Sequence, residues 1–400
     1  MVNAASLFSQ MLKEFPRDEF EAVVRKHRAD ARSKGFSSWT QFVAMLFCHT
    51  AKADSLREIC NGLSCCLGKL VHLGVKKAPK RSTLSYANAH RPAALYEELF
   101  WSAMRRFRAK EGGIGAGGKQ FRFKNKLLSM DTTVISFCLS LFPWAEFQQS
   151  KGAVKAHVVL DHRDYMPEYI RITDGKTSDV AVARAMTFNP GSIVVVDRGY
   201  NDYELYSKWT NQGVFFVTRQ MDNAAYAVVG ESAAPQRGNI LADQSIRLTG
   251  TRAAGRCEHV LRRVVVWDET KGRQLAFLTN QFEFSAATIA AIYKERWRIE
   301  VFFKTLKQNL KLKTFVGTTK NALLIQVWTA LITLLLFKWL HHVSRANWSL
   351  SILASMLRLN LFTYRPLFDW LHNPFGTPPI LPAARQLSLF DSHVGQPSVS

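Results

Sequence analysis

The N-terminal part of the chain repeats its apolar positions with the period of amphipathic helices. Phe20, Val23 and Val24 lie on one face of a helical wheel, and a second run with the same spacing follows shortly after them. This pattern predicts a helical N-terminal domain over residues 1–111. The glycine-rich run at residues 112–118 predicts a flexible linker behind it.

After that linker the pattern changes to alternation and to continuous apolar runs, which are typical of strands. The run Ile193-Val194-Val195-Val196 is apolar without interruption and predicts a strand buried on both faces. The predicted order is three antiparallel strands, a helix, the buried strand, a helix and a further strand, which favours an α/β layer fold. In chain order these elements are predicted at residues 127–135, 155–160, 169–173, 180–187, 193–196, 203–212 and 214–218.

Residues 220–282 break this order, because they contain β-like runs and no convincing helix. They predict a β-rich insertion, after which a long amphipathic helix begins near Ser285. The apolar stretch at residues 322–340 is interrupted by Gln326 and Lys338, so we predict a buried core helix there rather than a membrane span. The segments predicted for this part of the chain are 119–219 and 283–345 for the α/β core, 220–282 for the insertion between them, and 346–400 for a C-terminal segment with a disordered tail.

The charge of the chain is strongly positive. It carries 53 Lys and Arg against 31 Asp and Glu, a formal net charge of +22 at pH 7. Such an excess favours a polyanionic partner, nucleic acid first and an anionic membrane surface second, and leaves open a basic enzyme with neither. The basic segment 76–81 runs into a helix for which Ser82 or Thr83 is the predicted cap. It could clamp phosphates or be a solvated loop.

The six cysteines form no C-x-x-C motif and no Cys/His cluster with finger spacing. This usage predicts reduced thiols in a cytoplasmic protein. Residues 1–30 are mixed and charged, so we predict no signal peptide in them and no membrane partner.

Two acidic residues stand where strands present metal or substrate ligands. Alternation puts Asp131 on the face of its predicted strand opposite Met130. Asp197 directly follows the buried apolar strand, and ligands gather at the carboxyl ends of such strands. A structural cap would explain Asp197 equally well, so the residues alone leave both interpretations open.

The helix that contains Tyr293 is more specific. At about 100° per residue, Tyr293, Arg296, Glu300 and Lys307 fall within an arc of about 60°, beside an apolar arc that faces the core. A solvated face with helix-spaced ion pairs would carry Glu and Lys readily, but it has no need of Tyr, so a functional stripe is favoured. Glu295 lies near the apolar arc, and the pattern does not explain its placement.

The spacing of those four residues, Y-x₂-R-x₃-E-x₆-K, resembles the Y-R-E-K signature of the IS-four (insertion sequence four) family of DDE transposases. Met-Asp-Thr-Thr at residues 130–133 resembles the first acidic strand of that family, and Val-Asp-Arg-Gly-Tyr at residues 196–200 resembles its second. The resemblance covers about residues 120–340.

The resemblance implies an RNase H-like catalytic core that is interrupted by a β-rich insertion. It implies that Asp131, Asp197 and Glu300 bind two Mg²⁺ or Mn²⁺ ions per active site for phosphoryl transfer. The expected activity is that of a transposase, which binds terminal inverted repeats in double-stranded DNA, cleaves there and joins the 3′-OH ends to target DNA, through hairpins in some relatives. A homodimer is expected in the DNA complex, because two ends are cut together.

The resemblance also implies contacts to DNA. Tyr293, Arg296 and Lys307 of the stripe would bind phosphates beside the scissile bond. Arg forms bidentate hydrogen bonds to phosphate, and Lys supplies a point charge. A Trp of the insertion could stack a flipped base or be an ordinary sheet-face aromatic. The predicted DNA-contacting residues are Tyr293, Arg296, Lys307, Arg198, Arg219 and Trp267.

Other interpretations stay open. His157 is predicted to be a strand-face residue rather than a base, and the acids at 161, 164, 174 and 179 are predicted to serve turns. A catalytically silent DNA-binding protein derived from a transposase would carry the same fold and charge. A related metal-dependent nuclease without strand transfer, or a membrane-associated basic protein, are the further alternatives.

Overall fold

The structure is a computed structural model that describes residues 5–31, 33–66, 69–115, 121–138, 146–148, 151–232, 239–250, 255–309, 317 and 319–380. The helices are α1 (Leu7–Leu12), α2 (Arg17–Lys26), α3 (Ser38–Ala51), α4 (Leu56–Ser64), α5 (Arg81–His90), α6 (Ala94–Ala109), α7 (Asp179–Ala185), α8 (Tyr203–Asn211), α9 (Ala286–Glu295), α10 (Trp297–Asn309), α11 (Lys320–Val343), α12 (Leu350–Leu359) and α13 (Leu367–His372). The strands are β1 (Leu127–Cys138), β2 (Glu146–Gln148), β3 (Lys151–Asp161), β4 (Met166–Asp174), β5 (Ile193–Val195), β6 (Phe215–Arg219), β7 (Tyr226–Ser232), β8 (Ile240–Leu248), β9 (Val260–Asp268) and β10 (Arg273–Thr279).

The described strands form one mixed sheet, and a helical region precedes it. The order of strands in the sheet is β2-β3-β1-β5-β6-β10-β9-β8-β7. β4 also pairs with β3, outside this order. β1 with β5 and β5 with β6 run parallel, and the other pairs are antiparallel. The mixed α/β architecture with a helical N-terminal region is therefore confirmed.

The strands of the predicted insertion extend the core sheet. β10 pairs antiparallel with β6, and β9, β8 and β7 follow outward. Helices cover both faces. α7 and α8 pack on one face through Ala183 and Trp209, and α9 packs on the other through Ile289 and Ile292. Each apolar stripe faces the sheet, which removes it from water.

The helical region is completed by α11, from the far end of the chain. α11 packs against α3, α5 and α6 as well as α10 and α12. It is long and apolar enough to cross a membrane, but 89% of its most apolar stretch is buried inside the protein, as a core helix would be. Lys338 interrupts its apolar surface for a local reason: its Nζ donates to the backbone oxygen of Tyr165, and burial lowers its pKa to about 8.

The start of α5 differs from the prediction. The predicted caps of α5, Ser82 and Thr83, lie inside the helix. α5 begins at Arg81, with Lys80 at the N-cap position and no side-chain cap. Of the predicted linker, residues 116–118 lie outside the described residues, as do residues 381–400 of the predicted tail, and the segment boundaries stay predictions.

The prediction of a single long helix from Ser285 is wrong in one respect, because this segment forms two helices. α9 and α10 meet at Arg296, whose N–H donates to the oxygen of Tyr293 at 3.1 Å. The N–H of Ile299 in turn donates to the oxygen of Arg296 at 3.1 Å. These three-residue hydrogen bonds tighten the backbone relative to the four-residue pattern of an α-helix. The predicted stripe is thereby divided, with Tyr293 on α9 and Glu300 and Lys307 on α10.

Candidate active site

Asp131 lies in the middle of β1, with β3 on one side and β5 towards the other. Its neighbours Leu128 and Met130 pack beneath α7 and α8, whereas Ile135, on the same face as Asp131, packs with α10 and α11. The alternation predicted for this strand therefore holds. The side chain is 19% exposed, and the N–H of Thr132 donates to its Oδ1 at 2.8 Å.

The surroundings of Asp131 favour its neutral form. Burial raises the pKa of Asp131 to about 6, and the charges of Asp197 and Glu300 add to the rise. The Thr132 N–H and the Arg296 guanidinium oppose it. A carboxyl group with this pKa in an acidic surrounding gains from any cation that neutralises its neighbours.

Asp197 lies at the carboxyl edge of the same sheet. The parallel pairing of β1 with β5 runs to Ser129 and Val195, so Asp131 and Asp197 each come two residues after the last pair. Asp197 caps a 3₁₀ helix, Arg198–Tyr200, because its Oδ1 accepts from the N–H of Gly199 at 2.8 Å. The cap predicted as the structural alternative is thus present, and it leaves Oδ2 free of that bond.

Glu300 reaches the site from α10, which packs against β1. Arg296 lies between it and Asp131. Its Nη2 contacts Glu300 Oε1 at 2.5 Å, and its Nη1 contacts Asp131 Oδ2 at 3.6 Å. An open cleft runs between β1 and α10, and its lining residues are Asp131, Thr132, Thr133, Glu300, Phe303, Lys304 and Lys307.

The three acids do not form a preassembled metal cage. In the part of the chain that the structure describes, no three His, Cys, Asp or Glu side chains are grouped so as to hold a metal ion. At this site Arg296 supplies positive charge between Asp131 and Glu300. The donor set still fits a divalent cation by its chemistry, because it offers carboxylate oxygens and an excess of negative charge.

Further cations surround the acids. Arg198 and Arg219 both approach the exposed carboxylate of Asp222, at 3.9 Å and 3.8 Å. The Tyr293 ring packs on Phe277 with 4.6 Å between ring centroids. Burial raises the pKa of Tyr293, and the charge of Asp197 adds to the rise, whereas the charges of Arg296 and Arg219 oppose it.

Trp267 is not brought into the cleft. It lies near the end of β9, opposite Gln274 of β10, and is 40% exposed. Its backbone exchanges hydrogen bonds with Asn239, and the cleft between β1 and α10 is lined by other residues. A base-stacking role for Trp267 stays a prediction.

The competing acids have local partners. Asp164 pairs with Arg108 at 2.6 Å, and Asp179 pairs with Lys155 at 3.0 Å. The helical-wheel pattern did not explain the placement of Glu295. This residue ends α9 and pairs with Arg298 at 3.2 Å. The break between α9 and α10 accounts for it, because Glu295 belongs to the end of one helix and Glu300 to the start of the next.

The sequence pattern missed the polar contacts beneath Asp131. Thr132 Oγ1 lies 2.9 Å from the hydroxyl of Tyr200 and 2.9 Å from Nδ1 of His157. His157, predicted only as a strand-face residue, is buried directly opposite Thr132 in the β1–β3 ladder. The signal that could have indicated this contact was the register of the two strands, which the alternation of each strand alone does not set.

The raised pKa of Asp131 gives a testable prediction about stability. Its folded-state pKa of about 6 exceeds the ordinary 3.8, so the folded chain holds a proton there more tightly than the unfolded chain. Stability is therefore lost as the pH rises from 4 through 6. We expect Asp131→Asn to raise the free energy of unfolding by about 1–3 kcal/mol at pH 8, and the gain should vanish near pH 4. Urea denaturation of both proteins at several pH values measures it.

The exposed Asp222 provides the control for that measurement. Asp222→Asn should leave the free energy of unfolding within about 0.5 kcal/mol of the wild type at every pH. Equal stability of Asp131→Asn and wild type at pH 8 would show that ionised Asp131 is not penalised in the fold.

Comparisons with known proteins give a consistent result. Residues 122–336 match the family model described as "Transposase DDE domain", and residues 3–76 match a domain of unknown function, DUF4372. A transposase for insertion sequence element IS5377 from Geobacillus stearothermophilus is 30% identical over 255 residues, which cover 63% of this chain and 66% of that protein.

Two further relatives are similarly distant. A protein of Sinorhizobium fredii named as transposase y4zB is 29% identical over 300 residues, which cover 73% of this chain and 78% of the relative. A protein of Synechocystis named as a transposase for insertion sequence element IS4SA is 26% identical over 267 residues, with 65% and 71% of the two chains covered.

Proposed function

The chain belongs to the transposase DDE domain family, and we propose that it is the transposase of an insertion sequence, which cleaves DNA at the ends of the element and joins the 3′-OH ends to target DNA. One observation carries the proposal. Asp131 and Asp197 follow the last paired residues of adjacent parallel strands, and Glu300 faces Asp131 from α10 across Arg296. These acids come from distant parts of the chain, and the charges of Asp197 and Glu300 act on Asp131 near a sheet edge of the kind where ligands bind in α/β folds.

We further propose an RNase H-like core and membership of the IS-four family. The order β4-β3-β1-β5-β6 supports the core, with three antiparallel strands first and two parallel strands after them. The β7–β10 strands lie between the second Asp and the Glu along the chain, as the resemblance implies. The spacing of the Y-R-E-K residues supports the family.

In the mechanism that we propose, Asp131, Asp197 and Glu300 hold two Mg²⁺ or Mn²⁺ ions. When bound, such ions activate water as a nucleophile and neutralise charge on the phosphoryl group. Arg296 leaves the carboxylates for a DNA phosphate, because a guanidinium makes two parallel hydrogen bonds to phosphate. Tyr293 and Lys307 would hold the adjoining phosphates, and the bound cations would supply the positive charge that Arg296 now supplies beside Asp131 and Glu300.

The partners follow from the same proposal. They are double-stranded DNA of the terminal inverted repeats and of the target, with a homodimer in the DNA complex. We place the protein in the bacterial cytoplasm, which agrees with the free thiols of Cys60, Cys65, Cys66 and Cys257.

The function is tested with a supercoiled plasmid that carries the reading frame and its flanking DNA. With Mg²⁺ or Mn²⁺ we expect cleavage at both ends of the element, and joining of a pre-cut end to a second plasmid. Cleavage without joining would instead indicate a metal-dependent nuclease. Binding of the flanking DNA without cleavage would indicate a silent DNA-binding protein. EDTA and a plasmid without the flanks are the controls.

The salt dependence of binding tests the role of Lys307. Each phosphate contact adds about 0.9 to the steepness of the log–log plot of affinity against salt. Lys307→Ala should therefore make the slope less steep by about 0.9. Lys208 lies on α8, on the opposite face of the sheet, and donates to the backbone oxygen of Arg184. Lys208→Ala should keep the wild-type slope. Equal slopes for the wild type, Lys307→Ala and Lys208→Ala would show that Lys307 does not contact a DNA phosphate.

A further inference from the structure

A partly buried hydrogen-bond chain begins at Thr132, the residue after Asp131. Thr132 follows Asp131 in β1 and projects from the opposite face of the sheet, towards α7. Its Oγ1 contacts the hydroxyl of Tyr200 and Nδ1 of His157, each at 2.9 Å. Tyr200 and His157 are both almost fully buried. Buried hydroxyl and imidazole groups of this kind are retained only with partners, because an unpaired one is penalised.

The direction of each hydrogen bond in the chain can be assigned from its far end. Thr173 Oγ1 lies 3.1 Å from the backbone oxygen of Asp174, which can only accept, so the Thr173 hydroxyl donates there. His157 Nε2, 2.8 Å from Thr173 Oγ1, must then donate. Burial lowers the pKa of His157, so the ring is neutral and its Nδ1 accepts from Thr132. The Thr132 oxygen is left to accept from Tyr200.

Tyr200 is rigidly connected to the second acid. The 3₁₀ helix of Arg198–Tyr200 is one turn long, and Asp197 caps it. Asp197 Oδ1 accepts from the Gly199 N–H at 2.8 Å, and its backbone oxygen accepts from the Tyr200 N–H at 3.2 Å. These two hydrogen bonds hold the backbone of Tyr200 close to Asp197.

The backbone ladder does not fix the distance between the two acids. The pairing of β1 with β5 runs to Ser129 and Val195, and the N–H of Val196 already donates to Val217 of β6 instead. Beyond that point, the Tyr200–Thr132 hydrogen bond joins the segment of Asp131 to the turn of Asp197.

We propose that the chain Tyr200–Thr132–His157–Thr173 positions Asp131 and Asp197 to share a divalent cation. Tyr200, Thr132 and His157 are positioning residues, since they act through the acids and not on the DNA. The inference rests on the proposed function, because it assigns a purpose to the spacing of the same two carboxylates. Groups that orient metal ligands contribute about 10–100-fold to metal affinity in proteins.

The test measures Mn²⁺ affinity of the full chain without DNA, from the free-ion signal in electron paramagnetic resonance. Tyr200→Phe and Thr132→Val each remove one hydroxyl and keep the shape of the side chain. We expect each to weaken Mn²⁺ binding by about 10-fold. Thr132→Ser restores the hydroxyl and should bind Mn²⁺ as the wild type does, which a loss of packing alone would not produce.

Tyr96→Phe is the matched control. Tyr96 is also a fully buried tyrosine, but it lies on α6 in the helical region and not in the apolar cluster of Tyr200. It should keep wild-type Mn²⁺ affinity, and thermal unfolding reports whether each variant is folded. If folded Tyr200→Phe binds Mn²⁺ with wild-type affinity, the inference is wrong, but the proposed metal site is not affected. Wild-type protein that binds no Mn²⁺, or binds it equally after Asp131→Asn and Asp197→Asn, overturns the proposed metal site and the inference together.

Discussion

Asp131→Asn, Asp197→Asn and Glu300→Gln are each expected to lower the rate of DNA cleavage by about 10³-fold. A catalytic metal ion contributes several kcal/mol to transition-state stabilisation, and about 4 kcal/mol corresponds to a factor of about 10³ in rate. DNA affinity should stay the same or increase, because each change removes negative charge from a site that faces phosphate. Single-turnover cleavage of the plasmid with flanking DNA, together with a binding titration, measures both.

Glu295→Gln is the matched control for Glu300→Gln. The two glutamates directly flank the junction segment from Arg296 to Ile299, but Glu295 pairs with Arg298 and does not line the cleft. Glu295→Gln should retain the wild-type cleavage rate. Retention of the wild-type rate by Asp131→Asn, or equal losses for the two glutamates, would contradict the assignment of the acids.

Arg262→Ala is expected to lower the free energy of unfolding by about 3–5 kcal/mol, because it leaves the carboxylate of Asp243 buried without its partner. Arg262 and Asp243 are each 9% exposed and form two hydrogen bonds, of 2.8 Å and 2.6 Å. Arg262 Nη1 also donates to the oxygen of Phe284 at 2.5 Å, and so fastens β9 to the segment that enters α9. Chemical denaturation measures the loss.

Two further variants identify the source of that loss. Asp243→Leu combined with Arg262→Met removes both charges and should recover part of the stability, but not the contact to Phe284. Arg263→Ala, on the next residue, breaks hydrogen bonds to the neutral Gln220 and Gln244 and should cost only about 1–2 kcal/mol. An equal loss for Arg262→Ala and Arg263→Ala would show that the buried charge of Asp243 is not the cause.

The sequence predicted those features that a local period encodes. Alternation in β1 placed Asp131 on the correct face, and the apolar run before Asp197 gave a buried strand. The wheel, however, assumes an unbroken helix, so it could not show the tightened turn at Arg296 that separates α9 from α10. The pairing of β10 with β6 was equally hidden, because it depends on which strand edges remain free once the sheet has formed.

Contacts across long stretches of the chain account for the rest. The sequence pattern placed Arg296 on the same stripe as Glu300 and predicted that it contacts phosphate. Its position between Asp131 and Glu300, however, depends on how α10 lies over β1. Likewise, Thr132 and Tyr200 are 68 residues apart, and their hydrogen bond follows from the register of β1 and the turn after β5. Neither contact leaves a pattern within a short window.

The position of α11 has a consequence for biosynthesis. α3 ends at Ala51 and packs on α11, which begins at Lys320, so the ribosome must translate the 268 intervening residues before α11 can cover α3. At about 5–20 residues per second, the ribosome needs roughly 13–54 s for that stretch. During this time the apolar side of α3 has no partner from α11, and the nascent chain depends on chaperones or transient collapse. A truncated product that stops before α11 therefore lacks the helix that covers α3, α5 and α6 and that packs on α10.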